Sequence, residues 1–214
     1  MLLIPATAKS QVEMSVGGDL VSSYIWRGSY CGGVSVQPAL GLSAGGFSVT
    51  AWGSVGFTSP EYLEEYDFTV GYGVGGFSVA LTDYWFNSSS NYFNYNSEKT
   101  AHMIEGTLAY DFGPLAVSWN TFFAGNDFGV DGGRAYSTYI EASAPFAVGS
   151  VGLKAEIGIT PRDGLYADRF NVVNIGLTGS KEIRITDTFL IPAFTKIVFN
   201  PYVQQAHFVF GISL

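Results

Sequence analysis

The chain has 214 residues, of which 47% are hydrophobic, 16% are aromatic and only 13% are charged. Soluble domains carry about 25% charged residues, so this composition argues against an ordinary water-exposed surface, and the aromatic content excludes intrinsic disorder. The formal net charge of −8 disfavours a nucleic-acid partner, which requires a basic face, and the single cysteine excludes an intrachain disulfide framework.

The first ten residues resemble the end of a secretory signal sequence. Residues 2–4 would close an apolar core, and Ala8 and Ser10 occupy the −3 and −1 positions of a small-residue cleavage site before Gln11. The sequence therefore predicts a signal-peptide remnant at residues 1–10 and a single domain at residues 11–214. An exported protein with one free cysteine fits a bacterial envelope.

From residue 12 onward, apolar and polar side chains alternate with a period of two, which is typical of β-strands. In the first run, Val16 and Leu20 fall on one face, and Glu13 and Asp19 fall on the other. A helix would spread both sets around its circumference. The pattern predicts twelve strands, at residues 12–27, 34–43, 47–57, 66–74, 77–86, 102–112, 115–123, 135–144, 151–160, 171–180, 189–199 and 203–214.

The connections between these strands also alternate, in length. Short turns such as 44–46 and 75–76 are followed, one strand later, by longer polar segments such as 58–65 and 87–100. This asymmetry is typical of outer-membrane barrels, whose sheets must close because lipid cannot pair with backbone polar groups. We therefore predict an all-β fold, a closed antiparallel transmembrane β-barrel of about 12 strands with short periplasmic turns and longer extracellular loops. A soluble β-sandwich or lipocalin-like barrel is the alternative.

Aromatic side chains recur where the predicted strands end, which is where the interfacial belts of a membrane barrel are expected. They are Trp26, Phe47, Phe57, Tyr66, Phe77, Trp85, Phe112, Phe123, Tyr136, Phe189 and Phe199. Asp83 falls on the apolar face and requires a bulge or a position at the rim.

The polar faces of the strands would line the lumen of the barrel. The predicted pore-lining residues are Glu13, Asp19, Arg27, Gln37, Asp67, Glu105, Asp111, Asn120, Glu141, Lys154, Glu156, Asn174, Lys196 and His207, with Gln205 beside them. Acidic side chains outnumber basic ones, so an open channel would favour cations or neutral solutes.

Bulky side chains also fall on the inward face and would narrow any path through the barrel. They are Trp52, Tyr84, Tyr139 and Phe194. Small barrels can be filled by their own side chains. Two functions therefore remain open: a passive channel for small polar solutes in the bacterial outer membrane, or a non-conducting structural or partner-binding barrel, such as a subunit of an envelope complex.

The sequence predicts no enzyme, no cofactor and no metal site. His102 falls on the apolar face and His207 on the polar face, and neither forms a nucleophilic arrangement with a serine or cysteine. The acidic residues near the loops are expected to be solvated, because they lack the spacing of a calcium loop. They are Glu61, Glu64, Glu65, Asp67, Asp127 and Asp131. Cys31 is expected to have no role, and the predicted partners are outer-membrane lipid and lipopolysaccharide.

One stretch of the sequence resembles a known family. It comprises the run Val21-Ser-Ser-Tyr-Ile-Trp-Arg-Gly28, then Gln37-Pro38, then Gly46-Phe47 and Trp52-Gly53-Ser54. This stretch is similar to the N-terminal signature of the TorF-type porins of Gram-negative bacteria, in which a Ser-x-Tyr-x-aromatic-Arg-Gly strand end precedes a Gly-Phe hairpin and a Trp-Gly-Ser strand. The resemblance implies an outer-membrane barrel that acts as a pore and transfers no catalytic residues. The last seven residues resemble a barrel-assembly signal, although they end in Leu214 where such signals usually end in Phe.

Overall fold

The computed structural model describes residues 11–57, 64–86, 91–96 and 99–214, so the predicted signal remnant at 1–10 lies outside the described residues. Within these ranges the chain is all-β. The strands are β1 (Glu13–Val21), β2 (Tyr24–Trp26), β3 (Ser29–Gly32), β4 (Ser35–Ala44), β5 (Phe47–Gly56), β6 (Glu64–Val74), β7 (Phe77–Phe86), β8 (His102–Asp111), β9 (Ala116–Gly125), β10 (Thr138–Val148), β11 (Val151–Thr160), β12 (Asn171–Arg184), β13 (Leu190–Asn200) and β14 (Gln205–Ser213). Among the residues described, no helix is long and apolar enough to cross a membrane.

Twelve of these strands form one closed barrel. Its strand order is β1-β14-β13-β12-β11-β10-β9-β8-β7-β6-β5-β4, and β4 pairs with β1 to complete the circle. The barrel closes between its first and last strands, where Asp19 pairs with Ser213 and the backbones of Gly18 and Leu214 exchange hydrogen bonds of 3.2 and 2.9 Å. The prediction of an all-β, closed antiparallel barrel of about twelve strands is therefore confirmed.

The alternation of the sequence becomes two chemically different walls. On the outside, apolar side chains such as Leu40, Leu108 and Leu177 are 47%, 50% and 42% exposed. On the inside, Glu105 and Asn174 are buried. Along β8 and β12 they alternate with the outward residues Leu108 and Leu177. On neighbouring strands, outward apolar residues pair with outward apolar residues and inward polar residues with inward polar residues. The outer wall is therefore continuously apolar, and the inner wall is predominantly polar.

The two ends of the barrel differ, and we name them by their connections. The short-turn rim carries the connections at 45–46, 75–76, 112–115, 149–150 and 185–189, and the long-loop rim carries the others. The tightest turns use glycine because their backbone has positive φ: Gly75 and Gly76 have φ of 58° and 85°. The first barrel strand, β1, begins at the short-turn rim, and the last, β14, ends there.

The predicted first strand, 12–27, is wrong in its second half. β1 ends at Val21, and β2 and β3 form a separate two-stranded sheet between β1 and β4. Arg27 and Gly28 form the turn of this hairpin, with φ of 49° and 83°. Positive φ at both central residues suits the right-handed twist of a two-residue hairpin, so the chain reverses at a point where a continuous strand was predicted.

Two later boundaries also differ from the prediction. β10 begins at Thr138 and not at 135, because Tyr136 has a φ of 49° that interrupts the strand. β12 continues to Arg184, well past the predicted end at 180. Strict alternation over the predicted strand 171–180 would place Val173 on the outer face together with Ile175. A bulge opposite Gly158 and Ile159 turns Val173 into the interior instead.

Two of the predicted belt aromatics do not lie on the open outer wall. Trp26 is inside the barrel, on β2. Trp85 faces outward but is only 8% exposed, because the ring of Tyr92 covers it at 5.6 Å. The remaining nine predicted belt residues are 39–64% exposed on the outside.

Candidate functional site

The hairpin formed by β2 and β3, residues 24–32, folds into the lumen; we call it the inner hairpin. Its rings contact inward residues at three separated points around the barrel: Tyr24 meets Trp52 of β5 at 5.6 Å, Trp26 meets Phe122 of β9 at 6.4 Å, and Tyr30 meets His207 of β14 at 6.2 Å. In the strand order these three barrel strands are far apart, so the hairpin spans the lumen. A twelve-stranded barrel is wider than the eight-stranded kind that side chains alone can fill, and the inner hairpin occupies the extra space.

Arg27, at the tip of the inner hairpin, forms the main ion pair of the interior. Its Nη1 and Nη2 donate hydrogen bonds to Oε2 and Oε1 of Glu105 at 2.5 and 2.8 Å, and Nη1 also donates to the hydroxyl of Tyr166. The side chains of Arg27 and Glu105 are 11% and 1% exposed. A bidentate pair fixes direction as well as charge, so it holds the hairpin tip against β8.

Aromatic rings surround the same guanidinium. Its Cζ lies 4.5 Å from the ring centroid of Trp26, 4.8 Å from that of Tyr139 and 5.7 Å from that of Tyr166. These rings belong to an apolar cluster of the interior, which includes Tyr84, Met103, Phe122, Tyr139, Tyr166, Ala167 and Val173. The long-loop half of the lumen is therefore packed like a protein core.

Gly28 lets the inner hairpin lie directly against the wall. A Cβ at this position would overlap the carbonyl oxygen of Val173 on β12, and the positive φ is a second reason for glycine. On the neighbouring strand, Asn200 Nδ2 donates a hydrogen bond of 3.2 Å to the carbonyl oxygen of Gly28. The hairpin thus contacts β12 and β13 through its backbone and β8 through its Arg27 side chain.

A second group of charges lies on β10, β11 and β13, and it is linked to Tyr139, whose hydroxyl contacts Glu141 and Asn174. Lys196 Nζ is 2.6 Å from Glu156 Oε1, and Lys154 Nζ lies 3.6 Å from Glu156 Oε2 and 3.8 Å from Glu141 Oε1. Asn174 Nδ2 adds a 3.0 Å hydrogen bond to Glu156. Two acids and two bases balance here, so this side of the lumen carries no net charge.

The acids of β6 are not balanced in this way. Glu65 was expected to be a solvated loop residue, but β6 begins at Glu64 and turns Glu65 inward, where it is 1% exposed. Within the described part of the chain, Glu65 Oε2 and Asp67 Oδ1 are buried without a hydrogen-bond partner. No group of side chains among the described residues has the geometry of a metal site. Glu61, from the same predicted set, lies outside the described residues.

Cys31 lies on β3 of the inner hairpin, near this acidic wall. Its thiol is partly buried, and its Sγ approaches the carbonyl oxygen of Ser29 at 3.7 Å. Burial, reinforced by the carboxylate of Glu65, raises the pKa of the Cys31 thiol to about 12. The thiol therefore stays protonated and poorly reactive while the hairpin is seated.

The short-turn half of the lumen is different in character, and we call it the vestibule. Small hydroxyl side chains face inward there: Ser15, Ser43, Ser48, Thr50, Thr69, Thr107, Ser118, Ser143, Thr178 and Ser213. All of them are at least partly exposed, whereas inward residues of the long-loop half such as Ser35, Ser54 and Tyr139 are buried. Solvent thus reaches the short-turn half of the lumen, whereas the inward residues around the inner hairpin are buried.

The predicted pore-lining residues all face the interior, although they do not form one continuous path. Thirteen occupy inward positions of barrel strands: Glu13, Asp19, Gln37, Asp67, Glu105, Asp111, Asn120, Glu141, Lys154, Glu156, Asn174, Lys196 and His207. The fourteenth, Arg27, belongs to the inner hairpin. Phe122, Tyr166 and Val173 are interior residues that were not predicted from the sequence. The Arg-Gly pair between two short aromatic runs was the available signal for the hairpin.

A separate polar group lies on the outer wall near the long-loop rim. Asp83 Oδ1 is 2.7 Å from Nδ1 of His102, and the hydroxyl of Tyr95 donates to Asp83 Oδ2 at 3.0 Å. Nε2 of His102 contacts the carbonyl oxygen of Tyr92, so both ring nitrogens are engaged. These bonds hold residues 91–96, which we call the flap, against the outside of the barrel, and they explain how Asp83 is accommodated on an apolar face.

Comparison with known proteins adds no family to this description. No protein-family model matches the chain, and no curated protein matches it. The function is therefore inferred from the interior of the barrel.

Proposed function

We propose that the protein is a bacterial outer-membrane barrel that passes small polar solutes through a lumen constricted by the inner hairpin. The continuously apolar outer wall and its exposed aromatic rings suit contact with hydrocarbon and its interfaces. A soluble barrel of this size would need charge on that wall. The sequence supports the same location through its low content of charged residues.

The vestibule carries the channel part of the proposal. It is polar, lined by small side chains and open at the short-turn rim, which a purely structural barrel would not require. Beyond it, Glu65 and Asp67 lie beside Tyr24 of the inner hairpin. Among the inward residues of the barrel strands acidic side chains outnumber basic ones, which favours cations and neutral solutes over anions.

Three further features belong to the proposal. Residues 1–10 act as the remnant of an export signal, the outer wall contacts lipid and lipopolysaccharide, and the chain is a member of the TorF-type porins. The motif that supports this membership, Ser-Tyr-Ile-Trp-Arg-Gly over residues 23–28, coincides with the inner hairpin. Within such a family, the hairpin would serve as a shared constriction.

Planar-bilayer recording on the refolded protein tests the channel. We expect small discrete conductance steps from the full chain and much larger ones from a variant in which residues 23–33 are replaced by a short Gly-Ser linker. Val21 and Ser35 are directly paired, so a short linker can join them. Folded barrels that stay silent in both forms would contradict the proposal.

The second candidate is a barrel that does not conduct, with a structural or partner-binding role in an envelope complex. The dense contacts of the inner hairpin with β8, β12 and β13 favour it. Its signature in the same recording is a silent full chain together with a conducting linker variant.

A further inference from the structure

Arg27 occupies an enclosure that the rest of the barrel builds. Three of its walls belong to other elements: Glu105 of β8, Tyr139 of β10, and Tyr166 in the connection between β11 and β12. We call these three side chains the cage. Only Trp26 is contributed by the inner hairpin itself. The occupant and its enclosure are therefore separate parts of the structure.

Two members of the cage, Tyr139 and Glu105, are held in place by contacts that do not involve Arg27. The hydroxyl of Tyr139 donates to Glu141 at 2.8 Å and accepts a bond from Asn174 Nδ2 at 3.0 Å. The hydroxyl of Tyr84 donates to Glu105 Oε1 at 3.0 Å. A site whose groups are already oriented binds its ligand without an ordering cost.

The chemistry of the cage is specific for one class of ligand. Aromatic faces attract cations, and a carboxylate gives a planar guanidinium two parallel hydrogen bonds. The structure has this geometry with a guanidinium in it. The charges of Lys154 and Lys196 are compensated by Glu141 and Glu156, so the carboxylate that faces the guanidinium is that of Glu105.

The occupant is tethered, and its attachment is under strain. Arg27 has a φ of 49°, which is unfavourable for a residue with a side chain, and it belongs to a small hairpin outside the barrel sheet. The tether makes the ion pair between Arg27 and Glu105 intramolecular. A free ligand must therefore be supplied in excess to compete with Arg27 for the cage.

We propose that the cage is a binding site for planar organic cations of the guanidinium class, and that Arg27 is a built-in occupant which such a cation displaces. This inference rests on the proposed function in one respect, the access of solutes to the lumen. When the free cation replaces the Arg27 guanidinium, the ion pair with Glu105 is exchanged one for one and the inner hairpin is released.

Cys31 reports on this exchange without any mutation, because it is the only cysteine of the chain and lies on the inner hairpin. The experiment measures the rate at which a maleimide labels Cys31 in the full chain in detergent. Methylguanidinium chloride should raise the rate several-fold over the same concentration of sodium chloride. Methylammonium chloride, a cation without the planar fork, should have a weaker effect.

The variant R27A reverses the sign of the expected effect. Without its own guanidinium the hairpin is loosely seated and Cys31 labels quickly, and methylguanidinium should fill the cage, restore the packing of Trp26 and slow the labelling. E105Q should label quickly and show no response to methylguanidinium. Equal labelling rates in methylguanidinium chloride and sodium chloride, in both wild type and R27A, would overturn the proposal. If R27A does not refold, equal rates in the wild type alone would overturn it. Because labelling needs no conduction, a silent barrel would refute the channel and leave the cage standing.

Discussion

Single residues determine whether the inner hairpin can enter the lumen, and Gly28 is the most constrained of them. Its backbone lies against the carbonyl of Val173, and no side chain fits between them. Arg27 and Glu105 then add direction and charge, at a point where an unpaired ion would be costly. The position of the hairpin in the lumen therefore depends on the lack of a side chain at Gly28 and on the buried ion pair between Arg27 and Glu105.

We expect Gly28→Ala to unseat the inner hairpin while leaving the barrel closed, because the added methyl group meets backbone that cannot move aside. Labelling of Cys31 should become several-fold faster. Gly32→Ala is the matched control, since it lies on the same hairpin with its nearest neighbour at 4.0 Å and should label at the wild-type rate. Equal rates in wild type and Gly28→Ala would show that this close approach does not hold the hairpin.

For single residues, the sequence predicted whether a side chain points into or out of the barrel, but it did not predict which side chains contact each other. Alternation placed Glu105 and Tyr139 inside because a strand permits only two directions. It could not pair Arg27 with Glu105, since the two are 78 positions apart and the hairpin turn was not recognised. Val173 was assigned to the wrong face because a bulge shifts the period by one residue.

Among the described elements, the flap leaves the barrel sheet and lies on the outside of the barrel. Asp83 and His102 form a pair beneath it, and Tyr92 and Tyr95 contact the His102 ring at 5.2 and 4.1 Å. These contacts remove two polar groups from the outer wall near the long-loop rim. The flap therefore lets a charged residue lie on a face that is otherwise apolar.

The substitution Asp83→Asn should loosen the flap, because it removes the charge that faces His102 and weakens the bond from Tyr95. Chymotrypsin, which cleaves after aromatic residues, should then cut within residues 91–96 several-fold faster. Asp111→Asn makes the same chemical change at the opposite rim, where Asp111 accepts a bond from the backbone of Gly113, and should leave cleavage unchanged. An unchanged cleavage rate in Asp83→Asn would mean that the pair does not anchor the flap.

The elements of the barrel were predictable because each strand carries its own alternation and each short turn its glycines. Eleven of the twelve predicted strands correspond to barrel strands with shifts at their ends, and the first splits into β1 and β2. The inner hairpin escaped detection because β2 has only three residues, too few for a period of two to be distinguished from the strand before it. The extension of β12 carries polar residues, which had suggested a loop.

As a whole molecule, the protein combines an apolar exterior with an interior divided into a solvated vestibule and a packed, charged long-loop half. Closure of the barrel was predictable, because a sheet that crosses lipid must pair both of its edges. Occupation of the lumen was not, since it depends on contacts between strands remote in sequence. The proposed outer-membrane location requires that the apolar outer wall contacts hydrocarbon.

Adjacent residues on β12 test this directly. Leu177 faces outward and Thr178 faces inward, and both lie at mid-strand between β11 and β13. In a Cys31→Ser background reconstituted in lipid vesicles, a water-soluble maleimide should label Thr178→Cys and spare Leu177→Cys, and a fluorophore attached in detergent at the Leu177→Cys position should be quenched by nitroxide-bearing lipids after reconstitution. Equal labelling of both positions by the water-soluble reagent, with no quenching by the lipids, would place the outer wall in water and contradict the account.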